Sequence, residues 1–149
     1  AAQSAGIDGV IVVDCPPEEC APFVDLCRKG GIDTIFLLAP TSTDERIRSV
    51  ARAGSGYLYY VSLKGVTGVK SADAADIATH LPHIRAASSL PIGVGFGIKD
   101  AESARAISKS ADAVIIGSRI VQEIESAGAE HAVARVKALI VPIRKALDS

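Results

Sequence analysis

The chain has 149 residues, 48% of them hydrophobic, with 16 Lys and Arg against 17 Asp and Glu for a formal charge of −1. That length supports one domain, residues 1–149, with its own core; Trp and Met are absent, so aliphatic side chains must build it. The near-neutral balance without a long basic run argues against nucleic acid as the main partner. No apolar run reaches the roughly 18 residues of a membrane span and no signal peptide is apparent, so a cytoplasmic location is expected.

Residues 7–14 (I-D-G-V-I-V-V-D) are continuously apolar in the middle and do not alternate, which predicts a strand covered on both faces, as in a parallel sheet. Pro16 and Pro17 open a predicted helix to about residue 29 with Cys20, Phe23, Val24 and Cys27 as its apolar stripe; Gly30-Gly31 stops it. Cys15, Cys20 and Cys27 are odd in number, and the last two share a helical face. Packed, reduced thiols are therefore expected, and a metal site is disfavoured because no His lies nearby.

A second strand is predicted over 33–38. Ser42-x-x-Glu45 reads as a capping box for a helix to residue 53 that buries Ile47, Val50 and Ala51. A third strand, 57–61, leads into a glycine-bearing loop at 62–71. Ile77, Leu81 and Ile84 mark the next helix, which Pro82 is expected to kink or split. The fourth strand covers 91–95, and Asp100 caps a helix carrying Ala104 and Ile107 inward. The fifth covers 112–116. A short helix over 118–126 should bury Ile120, Val121 and Ile124. The last, over 130–147, carries Val133, Val136, Ile140, Ile143 and Leu147, with a bend expected at Pro142.

The segments I-D-G-V-I, I-D-T-I-F and A-D-A-V-I repeat one pattern, and strand starts near 8, 33, 57, 91 and 112 have the spacing of βα units. Such units allow an open doubly wound sheet or a (β/α)8 barrel. The absence of an early G-x-G-x-x-G argues against the dinucleotide-binding version. Glycine turns at the last strand ends with a short helix after the final strand favour the TIM-barrel type. A full barrel needs eight strands and roughly 250 residues, so a partial barrel of about five parallel strands with flanking helices is predicted.

Three glycine turns end successive strands: Gly65 to Gly68, Gly93 to Gly97, and Gly117-Ser118. Singly each reads as a tight turn; together, with the last opening a helix, they predict phosphate binding by backbone amides. Ser118 would add its hydroxyl, while Arg119 reads equally as a charge for the cup or a solvated side chain. Asp14, after the first strand, reads either as a loop anchor or as a general base. Tyr57 and Tyr59 share a strand face opposite Tyr60. His80, His83 and His131 fall on helices, away from the predicted mouth.

The order D-G-V-I-V-V-D-C-P-P-E-E, G-Y-L-Y-Y-V-S-L-K-G-V-T-G, P-I-G-V-G-F-G-I and G-S-R-I-V resembles the tryptophan synthase α subunit family over essentially the whole chain. The resemblance implies a (β/α)8 barrel, strands four to eight of which this chain would supply as the C-terminal portion. It implies retro-aldol cleavage of indole-3-glycerol phosphate to indole and glyceraldehyde 3-phosphate, in a heterotetramer with a β subunit that carries pyridoxal phosphate. On the same basis Gly68, Gly97, Gly117 and Ser118 would hold the substrate phosphate, Tyr59 and Phe96 would border the pocket, and Thr67 would sit in the closing loop. Asp14 would steady the mouth and the β-subunit interface. The family's acid–base carboxylates would precede the first residue here, so no catalytic residue, metal or cofactor is expected in this chain, and the isolated chain should be inactive. The alternatives are another phosphate-binding barrel enzyme of histidine or tryptophan biosynthesis, and a non-catalytic half barrel that self-associates through its open edges.

Overall fold

The register of the strands decides the architecture. In this computed structural model, which describes residues 1–62, 74–95 and 97–149, β1 (Gly9–Val12), β2 (Asp33–Leu38), β3 (Leu58–Val61), β4 (Ile92–Gly95) and β5 (Ala113–Ile115) pair in sequence order, every pair parallel. A doubly wound sheet reverses direction at a switch point; this one does not. With right-handed crossovers, a sheet that always steps the same way receives its helices on one face. It is an arc of a barrel wall.

The helices are α1 (Ala21–Lys29), α2 (Asp44–Ala53), α3 (Ala74–Ala87), α4 (Ala101–Ser108) and α5 (Ser118–Leu147). The core lies between them and the outer face of the sheet: Phe36, Leu38, Leu58, Tyr60, Ile92 and Val94 meet Val24, Ile47, Val50, Ile77, Leu81, Ile84, Ile107 and Ile143. The inner face is open. Ile11 is 48% and Val13 69% exposed, which corrects the expectation of a first strand covered on both faces. An unbroken apolar run records the side chains a strand carries; the helices of this chain reach only one side of it.

The first helix starts later than expected. Pro16 and Pro17 lie in a turn whose Pro16 carbonyl accepts from the amides of Glu19 (2.9 Å) and Cys20 (3.1 Å), and α1 begins at Ala21 with Pro22 in its first turn, where no amide is needed. Val24 and Cys27 are buried, but Phe23 is 43% exposed and leaves the stripe. That turn brings the Cα atoms of Cys15 and Cys20 to 5.9 Å, within the range a bridge spans, and the two form a disulfide while Cys27 stays free and buried. The expectation of three reduced thiols is corrected: helical periodicity paired 20 with 27 and said nothing of a loop residue.

The cap of α2 is Thr43, whose Oγ1 accepts from the Arg46 amide at 3.3 Å. Ser42, one residue earlier than this cap, instead accepts from the Ala39 amide at 2.9 Å and holds the preceding turn. Pro82 does not split α3. The carbonyl it leaves unpaired belongs to Ala78, on the exposed side, where water can satisfy it, while Ile77, Leu81 and Ile84 anchor the other face. In α4, Asp100 and Ser103 cap each other reciprocally. α5 breaks at Gly128 (φ 67°, ψ 168°) and continues through Pro142. Its first part buries Glu123, whereas Val121 and Ile124 are 52% and 45% exposed, and Val133 beyond the break is 80% exposed. The expected burial of Val121, Ile124 and Val133 is corrected accordingly, while Ile143 is buried in the core as expected and Ile120, Val136, Ile140 and Leu147 are half-buried. Among the described residues no helix is long and apolar enough to cross a membrane.

Asp112, at the start of β5, joins two strands and a helix. Its Oδ2 accepts from the Ile92 amide at 2.8 Å and from Arg85 at 2.9 Å. The Ile92 amide above all, and then Arg85, hold its carboxyl below the usual carboxylate range against the opposing effect of burial. A depressed folded-state pKa stabilises above the unfolded value, roughly 3.9, and that stabilisation is lost as pH falls through the folded value. Asp112→Ala should therefore cost about 1–2 kcal/mol at neutral pH, with the difference from the parent shrinking in acid. Urea denaturation at pH 7 and at pH 3 measures both.

Candidate anion site at the strand ends

β4 and β5 pair with Gly93 opposite Ala113, Val94 opposite Val114 and Gly95 opposite Ile115. Two residues beyond each strand the chain turns through a glycine, so Gly97 and Gly117 stand side by side by register. Gly97 has φ 78°, a left-handed conformation that side-chain-bearing residues rarely adopt. Gly117 caps α5 without a side-chain hydrogen bond. The first helical amides to find an acceptor there are those of Ile120 and Val121, both to the Gly117 carbonyl at 2.9 and 3.1 Å. The amides of Ser118 and Arg119 precede them and have no acceptor within the helix.

These turns border a cleft of about 200 Å3 lined by Tyr59, Gly97, Ile98, Ile115, Ile116, Gly117, Ser118 and Arg119. A second hollow shares Gly97, Ile98, Ser118 and Arg119 with it and adds Lys99 and Gln122. Amides at a helix start, a hydroxyl and the positive end of the helix dipole make a setting for an oxyanion. Among the described residues neither lining includes a carboxylate.

Tyr59 forms part of the cleft for a reason written into β4. A Cβ on Gly95 would lie 2.0 Å from the Tyr59 hydroxyl oxygen, and one on Gly93 would lie 3.1 Å from the Tyr57 ring and 3.0 Å from Ile115. The inner-face glycines of β4 thus make room for the tyrosines of β3, and within 93–97 only Gly97 among the described residues has the positive φ of a turn. The reading of that whole stretch as one glycine turn is corrected. Burial, and then Tyr57, push the Tyr59 phenol above its ordinary pKa, so it stays protonated and can donate. Tyr60, on the opposite face, is buried beside the His80 ring at 6.4 Å and pushed up to about 12 by burial and then by Asp76.

Of the residues singled out from the sequence, Tyr59, Gly97, Gly117 and Ser118 come together. Gly68, Thr67 and Phe96 lie outside the described residues. Asp14 follows β1 at the opposite edge of the sheet, exposed, and is not brought to the cleft. His80 accompanies Asp76 on α3, and His83 pairs with Asp44 of α2 at 2.6 Å. A larger hollow of about 450 Å3, lined by Asp44, Ile47, Arg48, Arg52, His83, Ala86 and Ala87, lies between those two helices rather than at the strand ends. Sequence reasoning missed the fixing of Arg119: it pairs with Glu123, which is only 5% exposed and also pairs with Arg135 at 2.8 Å. The four-residue spacing of Arg119 and Glu123 was a usable signal; Arg135, beyond the Gly128 break, gave none.

A sheet wound one way, with helices on one face and glycine turns at its last strand ends, defines part of a (β/α)8 barrel. Residues 1–148 match the family described as tryptophan synthase alpha chain, and the chain belongs to that family. It is 59% identical over 149 residues to the tryptophan synthase alpha chain of Cupriavidus taiwanensis and 57% identical to that of Azoarcus sp. (strain BH72), covering all of this chain and 56% and 55% of those proteins. The chain thus spans about half the length of these relatives. Tryptophan synthase subunit alpha from Legionella pneumophila str. Paris superposes with a TM-score of 0.85 at 35% identity, over 99% of this chain and 54% of that one. A structure of the tryptophan synthase a2b2 complex from Pyrococcus furiosus gives 0.84 at 29% identity, over 97% and 58%.

Because the Tyr59 ring occupies the space over Gly95, Gly95→Ala should destabilise the chain by about 1–3 kcal/mol. In a Tyr59→Ala background the same change should cost much less, and a double-mutant cycle by thermal denaturation reads the coupling.

Proposed function

We propose that this chain supplies the phosphate-binding part of a lyase of tryptophan biosynthesis that cleaves indole-3-glycerol phosphate to indole and glyceraldehyde 3-phosphate. The observation that carries the proposal is the side-by-side placement of Gly97 and Gly117-Ser118 at one cleft. In this reading the amides there, with the Ser118 hydroxyl, hold the phosphate, joined by Gly68. Tyr59 and Phe96 border the indole-glycerol portion, and Thr67 belongs to the loop that closes over it. Asp14 serves the mouth and the contact with a partner. The strands correspond to the fourth to eighth of the family barrel, its C-terminal portion, as the glycine turns after the last two strands suggest. Family membership favours this reaction over that of another phosphate-binding barrel of histidine or tryptophan biosynthesis.

Retro-aldol cleavage needs a base for the glycerol hydroxyl next to the ring and an acid for the indole carbon. Among the described residues the cleft offers amides, a hydroxyl, a phenol and a guanidinium, none suited to the base. This chain accordingly binds and orients, and the proton transfers fall to carboxylates outside it. Its cleft takes no cofactor of its own. The partner is a β subunit carrying pyridoxal phosphate, and the enzyme works in the cytoplasm; support for the partner comes from the Pyrococcus furiosus relative, which is described in an a2b2 complex.

A second reading draws on the open inner face, where Ile7, Ile11 and Val13 are 45%, 48% and 69% exposed. Apolar surface of that kind favours association, and the occupant it names is a second copy of this chain. Light scattering separates the two: a stable dimer supports self-association, and a monodisperse monomer removes it.

Calorimetric titration with indole-3-glycerol phosphate and with its dephosphorylated analogue tests the main proposal. The phosphate ester should bind more tightly, and Ser118→Ala should weaken it by about tenfold while leaving the neutral analogue unchanged. Equal binding of the two compounds would overturn it, and a lyase rate in the purified chain would overturn the division of labour.

A further inference from the structure

Glu123 is a carboxylate in a place where a carboxylate is expensive. It sits in the first part of α5 at 5% exposure, and withdrawing such a group from water costs several kcal/mol unless its oxygens are paired. Both oxygens are paired. Oε1 accepts from Arg119 one turn earlier, and Oε2 accepts from Arg135 through Nη2 at 2.8 Å and Nε at 2.9 Å. Arg135 arrives from the far side of the break at Gly128, whose φ of 67° redirects the helix so that its second part passes the first.

The cluster holds two guanidinium groups and one carboxylate, so it carries one net positive charge. Its three members are not equivalent in position. Arg119 alone lines the cleft of Tyr59, Gly97 and Ser118, the neighbouring hollow of Lys99 and Gln122, and the hollow that contains Glu123 and Arg135. A lone Arg119–Glu123 pair would present a neutral unit to the cleft. The second guanidinium, at the back, neutralises Glu123 and leaves the charge at the front uncancelled.

We infer that Arg119 is a phosphate-directed cation of the cleft, and that Glu123 and Arg135 are its positioning pair, one fixing the guanidinium at the rim and the other keeping its charge available. This rests on the phosphate-binding reading above and adds to it the residue that selects for a doubly charged ester. A bare helix start favours any anion weakly; a fixed guanidinium beside it favours the dianion over a monoanion, because its Coulomb attraction scales with the ligand's charge.

The test is the affinity of the purified chain for glyceraldehyde 3-phosphate, against glyceraldehyde, by calorimetry at two salt concentrations. Arg119→Gln should weaken the phosphate ester by about tenfold and flatten its salt dependence, and Arg119→Lys should recover part of the loss. Arg135→Gln, a change outside the cleft, should weaken binding several-fold by leaving Glu123 to cancel Arg119. Adding Glu123→Gln to Arg135→Gln restores the net charge, and the Gln oxygen can still accept from Arg119, so binding should return toward the parent value. A merely structural cluster would give the opposite order, with the double variant the worst. Parent-like binding by Arg119→Gln, or no recovery in the double variant, would overturn the inference while phosphate selectivity in the parent stands. Absence of that selectivity in the parent would instead remove the phosphate-binding reading, and the inference with it. Melting temperatures of each variant show that folding is retained; should Arg135→Gln fail to fold, the Arg119→Gln and Arg119→Lys pair decides the matter.

Discussion

The parallel pairing of β4 on β5 is the constraint on which the site depends. With Gly95 opposite Ile115, the two chains leave the sheet in step, and their next turns fall at the same height. Neither turn is unusual alone. A positive-φ glycine and an uncapped helix start occur in many folds, and each offers only weak attraction for an anion. Register makes them neighbours. A slip by one residue would also exchange the faces of β4, driving Val94 toward the tyrosines and Gly93 and Gly95 toward the core.

The two ends of the sheet are specialised in opposite ways. At the N-terminal ends lie aspartates with structural partners: Asp112 accepts from the Ile92 amide and Arg85, and the Asp33 side chain packs where a Cβ on Gly56 would intrude at 2.9 Å. At the C-terminal ends lie glycines, a serine and the tyrosine ring that fits above Gly95. This division is the one barrel walls impose, since stability can be secured at one mouth while the loops of the other remain free to vary. Ser62 belongs to both tasks: its hydroxyl donates to the Gly95 carbonyl at 2.9 Å, fixing the end of β3 against β4 beside the cleft.

The fold also carries an asymmetry between its faces. The helix-facing side is closed by residues such as Phe36, Leu58, Ile92 and Val50, all essentially without exposure. The inner side is apolar yet open at Ile11 and Val13, because glycines and two tyrosines line its centre and the helices of this chain never cross to it.

Much of this was legible in the amino-acid order. The second strand was placed over its observed span, and the buried positions of α2, α3 and α4 followed from periodicity, because spacing by three and four is a local property. The glycines before α5 and the likeness of the motifs to the family were equally local. Other readings failed where a competing contact or a neighbouring element settled the outcome. Thr43 caps α2 because Ser42 is engaged by the Ala39 amide. Phe23 and Val121 lie outside the core because neighbouring helices shield only part of each face. The partial barrel, by contrast, was read from the glycine turns and the family likeness rather than from the spacing of βα units, and the strand order bears it out. So the sequence by itself determined the elements, the apolar faces of α2, α3 and α4, and the glycines that permit close backbone approach. Tertiary structure alone decided which turns became neighbours, which glycines serve ring packing rather than turning, and that Arg119 is fixed by Glu123 and Arg135, since pairing across strands and across the Gly128 break depends on contacts between residues far apart in the chain.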